Sequence, residues 1–106
     1  MFARVTTTQA APDRADADEA VRVIKENVIP RAEGMAGFKG GLWLLDRAAG
    51  KGLAITLFES EEALQASEAA AQQIRQEAVD QIQAGIVSVE RYEIVASAGM
   101  AEAIER

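Results

Sequence analysis

The side chains available for chemistry are limited, because the 106-residue chain contains neither cysteine nor histidine. Without cysteine there are no disulfides, thiolate nucleophiles or Cys-ligated metals. Without histidine there is no Ser-His-Asp triad, no His-ligated zinc and no imidazole base working near neutral pH. Any catalysis must therefore use carboxylates, Lys, Arg, Tyr, Trp, backbone groups or the substrate itself.

Two arginines are candidates for holding an anion. Arg4 lies in a β-branched segment at the start of the chain, and Arg91 lies in a similar segment near its end. If these segments are neighbouring strands, both charges can face a pocket and bind an anionic ligand. The alternative is that they pair with a carboxylate such as Glu90 or Glu93 on the rim of the sheet.

Two other polar features have simpler explanations. The acidic residues Asp13, Asp16, Asp18 and Glu19 lack the turn glycine and the ligand spacing of a calcium loop. We therefore expect no metal site there, and expect these carboxylates to favour the start of a helix through its dipole. Ser60 is the expected N-cap of the next helix, and no neighbouring base is apparent that would make it a nucleophile.

The elements that position these residues are predicted to follow the order β-α-β-β-α-β. They are a strand at Phe2–Thr8, a turn at Gln9–Arg14, a helix from about Asp13 that kinks or ends near Pro30, a loop at Gly34–Gly41, strands at Leu42–Arg47 and Lys51–Glu59, a long or two-part helix after Ser60 that Gly85 ends, and a strand at Ile86–Ala96. This order predicts an α+β, ferredoxin-like fold. We expect residues 1–97 to form one domain and residues 98–106 to form a C-terminal tail of uncertain order.

The two central hairpin strands are apolar on both faces. In the second of them, Leu53, Ile55 and Leu57 alternate with Ala54, Thr56 and Phe58. Both helices of a ferredoxin-like domain cover the same face of the sheet, so the other face would expose a contiguous apolar patch. A second copy packing against that face would cover it, which predicts a homodimer whose two sheets form an α+β barrel.

The length of the hairpin loop decides which residues share a face, and the sequence leaves two alternatives. A four-residue loop at Arg47–Gly50 places Trp43 on the face of Phe58. A three-residue loop at Ala48–Gly50 places Trp43 on the face of Ile55. The face that lines a cavity and the face that forms a dimer interface therefore stay unassigned.

The chain resembles the antibiotic biosynthesis monooxygenase (ABM) family of the dimeric α+β barrel superfamily. The segments that carry the resemblance are MFARVTT, VIPRAEGMAGFKGG, AITLFESEEALQAS and VERYEIVA, which occur in order along nearly the whole chain. The most typical piece is Phe58-Glu59-Ser60-Glu61-Glu62, where a strand gives way to a helix. The resemblance implies the same ferredoxin-like fold and dimeric barrel.

One branch of that family degrades haem, and its characteristic residues are missing here. Aligned without gaps from Phe58, the helix Trp of that branch falls on Ser67 and its haem-ligating His falls near Glu77. Its first-strand Asn falls near Thr6. The departures argue against haem degradation, and we expect no cofactor.

The resemblance also implies a second branch, the cofactor-independent oxygenases that act on quinol- or anthrone-like aromatics. There the protein supplies a dry cavity and polar groups that hold the substrate anion. The candidate walls and contacts are Trp43, Phe58, Tyr92, Arg4, Thr6 and Arg91, although each aromatic can equally serve core or interface packing. The alternative function is a non-catalytic homodimeric module that binds an apolar ligand or acts only in protein interaction.

Composition limits the other partners. The net charge of −6 argues against nucleic acid, which needs clustered Lys and Arg. No run of 18 apolar residues is present, so no membrane partner is expected. The first residues lack a basic-then-apolar signal pattern, which predicts a cytoplasmic protein.

Overall fold

A computed structural model of the chain describes residues 1–11 and 16–99. Its elements are β1 (Phe2–Ala10), α1 (Ala17–Val23), α2 (Ile29–Glu33), β2 (Phe38–Asp46), β3 (Lys51–Phe58), α3 (Glu61–Ala66), α4 (Glu68–Ile82) and β4 (Ala84–Glu93). The strands form one antiparallel sheet in the order β2-β3-β1-β4. This confirms the predicted α+β, ferredoxin-like fold.

Several element boundaries differ from the prediction. Strand β2 begins at Phe38, inside the segment that the glycines had suggested was a loop. Helix α4 ends at Ile82 because Gln83 takes a left-handed conformation with φ 55°, so Gly85 lies in β4 and does not end the helix. The predicted helix start at Asp13 lies outside the described residues, as does most of the predicted tail at 98–106.

Pro30 perturbs the first helix without ending it. A proline lacks the N–H that would bond to the carbonyl of Glu26, four residues earlier, and its ring crowds that carbonyl. The chain adjusts through a π-helical segment, Ile24–Val28, in which the Ile29 N–H donates to the Ile24 carbonyl. Helix α2 then continues through Pro30 to Glu33, so the alternative of a helix end near Pro30 is wrong.

The β2–β3 turn fixes which residues share a face. Asp46 pairs with Lys51, so the loop has four residues, Arg47–Gly50. The Gly50 N–H donates to the Asp46 carbonyl over 2.9 Å, and Gly50 has φ 67°, a conformation that glycine adopts without strain. In this register Trp43 pairs with Ala54 and lies on the face of Phe58.

That face packs against the helices and forms the core. The residues buried there include Val23, Phe58, Leu64, Ile74 and Val79. By alternation, the opposite face carries the aliphatic side chains of Leu42, Leu44, Leu53, Ile55 and Leu57. Leu42 is 45% exposed and Leu44 is 48% exposed, so the apolar patch predicted for an isolated copy is present.

Candidate functional site

A cavity of about 160 Å³ lies between the helices and the sheet. Its floor is made of small side chains at the centre of the sheet, with Thr6 and Thr8 on β1 and Gly52, Ala54 and Thr56 on β3. Larger apolar side chains surround this floor, namely Ile24, Val28, Phe38, Trp43, Leu45, Phe58, Ile74, Val79 and Ile82. A dry apolar cavity of about 150 Å³ is able to bind benzene, so this space suits a small aromatic ligand.

Trp43 forms one wall of the cavity. Its indole packs directly on Gly41, two residues earlier on the same face of β2. A Cβ at position 41 would lie 2.6 Å from Cη2 of the indole and 2.7 Å from Cζ3, so only glycine leaves room for this ring position. Because Trp43 is the chain's only tryptophan, its fluorescence reports on the cavity.

Phe58 serves both the core and the cavity wall. It is fully buried, and its ring meets that of Phe38 edge to face at a centroid distance of 6.0 Å. The guanidinium carbon of Arg4 lies 5.3 Å from the centre of the Phe58 ring, within the range of a cation–π interaction. Packing and the ligand-wall role predicted for Phe58 are therefore compatible.

Arg4 is a buried charge at the edge of the cavity, with 3% of its surface exposed. Its Nη2 donates to Ser67 Oγ over 2.7 Å, to the Leu64 carbonyl over 3.1 Å and to Glu68 Oε1 over 3.1 Å. Arg4 therefore pairs with a carboxylate, as the alternative predicted, but the partner is Glu68 on a helix and not Glu90 or Glu93 on the rim. Within residues 1–11 and 16–99, its Nε is the one buried side-chain polar atom without a hydrogen-bond partner.

Glu68 joins Arg4 to Arg91. Arg91 Nε and Nη2 each lie 2.6 Å from an oxygen of Glu68, which forms a bidentate pair. Hydrogen bonding from Arg91, and then from Arg4, lowers the pKa of Glu68 to about 2. The same hydrogen bond raises the pKa of Arg91. Arg91 does not line the cavity, contrary to its prediction as a ligand contact, because it is held against Glu68 at the surface.

Arg75 is a cavity residue that the sequence prediction missed. Its side chain is partly buried, and burial together with the neighbouring charge of Arg4 lowers its pKa. Among the hydrogen bonds and ion pairs of the described residues, none involves Arg75. The signal that could have found it is its spacing, since Arg75 lies four residues after Ala71 and three before Ala78 on the buried stripe of α4.

The remaining predicted contacts, Thr6 and Tyr92, lie on opposite faces of the sheet. Thr6 is buried and lines the cavity. Tyr92 does not, contrary to the prediction, because it pairs with Ala3 on the opposite face of the sheet. Its hydroxyl donates to Glu90 over 2.8 Å, which raises the pKa of Tyr92. Of the six predicted contacts, the structure therefore brings Arg4, Thr6, Trp43 and Phe58 together.

The other charged lining residues lie at the far end of the cavity and have partners. Asp16 caps α1 by accepting from the Glu19 N–H over 3.0 Å, and Arg47 pairs with Asp18 over 3.0 Å. No group of three or more acidic side chains within the described ranges is arranged to hold a metal ion. In the same part of the chain, no helix is both long and apolar enough to cross a membrane.

Comparison with known proteins finds solved structures with a similar fold. No family model matches the chain, and no curated protein matches its sequence. Several solved structures align over almost their whole length. A Deinococcus radiodurans protein with the provisional name antibiotic biosynthesis monooxygenase has a TM-score of 0.69 and 16% identity over 93% of this chain and 97% of its own. A Nitrosomonas europaea protein with the same provisional name has a TM-score of 0.63 and 14% identity, over 91% and 100% of the two chains. A Mycobacterium tuberculosis protein has a TM-score of 0.63 and 12% identity, over 93% and 100%. The chain thus has the fold of these proteins, which confirms the resemblance at the level of architecture.

Proposed function

We propose that the protein is a cofactor-independent monooxygenase that oxidises a small apolar aromatic substrate of the quinol or anthrone type. The observation that carries this proposal is the cavity itself, which is walled by Trp43 and Phe58 and has the guanidinium groups of Arg4 and Arg75 at one end. The shared fold with proteins provisionally named as monooxygenases supports the same reaction class.

The proposed reaction needs no redox group from the protein, because the substrate supplies the electrons. An anthrone loses a proton from its methylene carbon, and the resulting anion passes electrons to dioxygen and forms a carbon–peroxide bond. Cleavage of the O–O bond releases one water and leaves a new carbonyl, so that one anthrone and one O₂ become one quinone and one H₂O. The apolar walls reduce contact between the substrate and bulk water, and the nearby guanidinium charge stabilises the substrate anion.

The alternative function is a homodimeric module that binds an apolar ligand without turnover. The observation that favours it is the chemistry of the cavity lining, whose ionisable members among residues 1–11 and 16–99 are Arg4, Asp16, Arg47 and Arg75. Arginine does not act as a base at neutral pH, and the Asp16 carboxylate is engaged in capping a helix. Under the oxygenase proposal, substrate deprotonation therefore depends on the low intrinsic pKa of the substrate or on water.

We also propose that the active form is a homodimer joined through the aliphatic face of the sheet. This face carries Leu42, Leu44, Leu53, Ile55 and Leu57, and side chains of this kind gain about 25 cal/mol for each Å² removed from water. A second copy offers the same surface under two-fold symmetry, so each copy would bury the same apolar patch. A light-scattering mass near that of one 11.3 kDa chain at micromolar concentration would contradict this assembly.

The deciding experiment measures oxygen uptake with a small panel of anthrones and quinols. We expect uptake to depend on the protein and to yield the quinone in equal amount to the oxygen consumed. The matched variants are Ala54→Leu, which fills the cavity floor, and Ala48→Leu, which adds the same atoms to an exposed turn. Ala54→Leu should abolish uptake and Ala48→Leu should leave it unchanged. Binding of these aromatics without any oxygen consumption would favour the non-catalytic module.

A further inference from the structure

Among residues 1–11 and 16–99, positive charge exceeds negative charge around Arg75. The described side chains whose charges affect its guanidinium are Arg4, Arg91 and Glu68, so three arginines share one carboxylate there. Glu68 already accepts hydrogen bonds from both Arg4 and Arg91. This excess of positive charge is unexpected in a chain with a net charge of −6, and it lies against an apolar cavity.

The hydrogen-bonding capacity at this end of the cavity is also unused. Arg75 has five N–H donors, none of which has a protein partner among the described residues. The Arg4 Nε–H is buried without an acceptor, an arrangement that costs free energy until an acceptor arrives. An anionic oxygen entering beside Arg4 would supply that acceptor and reduce the repulsion between the two guanidinium groups.

We propose that this end of the cavity binds the carboxylate of an apolar aromatic acid, with Arg75 as its principal contact and Arg4 as the supporting charge. The planar fork of a guanidinium fits a carboxylate through two parallel hydrogen bonds. The aromatic body of the ligand extends from there over Ala54 and Thr56 towards Trp43. The proposal deepens the proposed function and rests on it only in taking this cavity as the ligand site.

The test compares two ligands of the same shape, 2-naphthoate and 2-naphthamide, by calorimetric titration at neutral pH. Neither compound has a methylene carbon that the proposed reaction could oxidise, so binding is measured apart from turnover. We expect wild-type protein to bind the naphthoate at least about tenfold more tightly than the amide, which corresponds to about 1.4 kcal/mol. Ligand-dependent quenching of Trp43 would place the aromatic ring in the cavity.

The test variants are Arg75→Gln and Arg75→Lys, with Arg47→Gln as the matched control. Arg47 lines the same cavity but lies near the Asp46–Lys51 end of the sheet, whereas Arg4 lies opposite Thr56. At about 3.4 Å per residue these positions are about 17 Å apart along β3. Arg75→Gln should remove the preference for the acid, Arg75→Lys should restore part of it, and Arg47→Gln should leave it unchanged.

Three results would overturn the inference. They are equal binding of acid and amide by the wild type, an unchanged preference in Arg75→Gln, and no binding of either compound. The first two do not bear on whether an uncharged anthrone consumes oxygen, whereas the third also counts against this cavity as a ligand site. Conversely, charge-selective binding without any oxygen uptake would retain the carboxylate site and contradict the monooxygenase proposal.

Discussion

Replacing Glu68 by glutamine should destabilise the protein, because this carboxylate holds two arginines at once. It accepts from Arg4 over 3.1 Å and from Arg91 over 2.6 Å at each of two positions. Glutamine keeps the size of the side chain but removes its charge, and its amide group presents N–H donors to guanidinium groups that need acceptors. Arg4 keeps its bonds to Ser67 and Leu64, so the loss is partial.

The magnitude follows from the pKa of Glu68, which its partners lower from 4.5 to about 2. A difference of this size between unfolded and folded protein would be worth about 3 kcal/mol in full. The side chain of Glu68 is 30% exposed and that of Arg91 is 47% exposed, so solvent screens part of the interaction. We therefore expect Glu68→Gln to lower the free energy of unfolding by about 1–2 kcal/mol at pH 7.

The stability lost in Glu68→Gln should depend on pH, in a direction set by the lowered pKa of Glu68. A carboxyl group with a lowered pKa in the folded state stabilises the protein above pH 4.5, and this stability is lost as the pH falls through about 2. Urea unfolding of wild type and variant should therefore give a constant difference above about pH 5.5 that shrinks by more than half at pH 3. Glu77→Gln is the control, because it breaks an exposed pair with Arg31 and should cost much less. A difference that stayed constant down to pH 3 would refute the assignment of the effect to this carboxylate.

The remaining predictions concern the cavity wall, the proposed dimer and a helix cap. Gly41→Ala places a methyl group within 2.7 Å of the Trp43 ring. This change should lower the free energy of unfolding by about 1–3 kcal/mol and shift the tryptophan emission. Unchanged emission would contradict the packing described for the indole. Leu44→Glu adds a charge to the aliphatic face and should convert a dimer to a monomer, as measured by light scattering. Ala48→Glu in the exposed turn should leave the mass unchanged. Equal masses for both variants would argue against this interface. Ser60→Ala removes the acceptor of the Ala63 N–H and should cost about 1 kcal/mol in urea unfolding, and no loss would mean that water replaces the cap fully.

The order of helices and strands was predictable because it rests on local periodicity. Which face of the sheet packs against the helices was not predictable. The alternation of Leu53 and Ala54 shows that both faces of β3 are apolar, but it does not say which face meets the helices. That choice depends on a single residue in the β2–β3 loop. The structure decides it through the Asp46 side chain, which accepts from the Ala49 N–H over 3.1 Å and stabilises the four-residue turn.

The site was predictable only in part, because its ion pairs join residues that are distant in sequence. The partner of Arg4 is Glu68, 64 positions away on a helix, and no local pattern indicates that contact. Alternation alone could have prevented one error. Arg91 and Tyr92 are consecutive residues of one strand, so their side chains point to opposite faces, and both could not line one cavity. Recognising Arg75 needed the orientation of α4 over the sheet as well as its spacing.

The hollow interior and the exposed aliphatic face have one common origin in strand β3. On the helix side, the residues that precede the buried Phe58 are Gly52, Ala54 and Thr56, and these small side chains form the floor of the cavity. On the other side the same strand carries Leu53, Ile55 and Leu57, which are large enough to fill a contact with a second sheet. A strand that serves only a monomeric core would place large residues towards the helices along its whole length, whereas β3 does so only at Phe58. The reversed arrangement in this chain leaves space for a ligand on one face and apolar surface for a partner on the other, so the cavity and the proposed interface are two consequences of one sequence pattern.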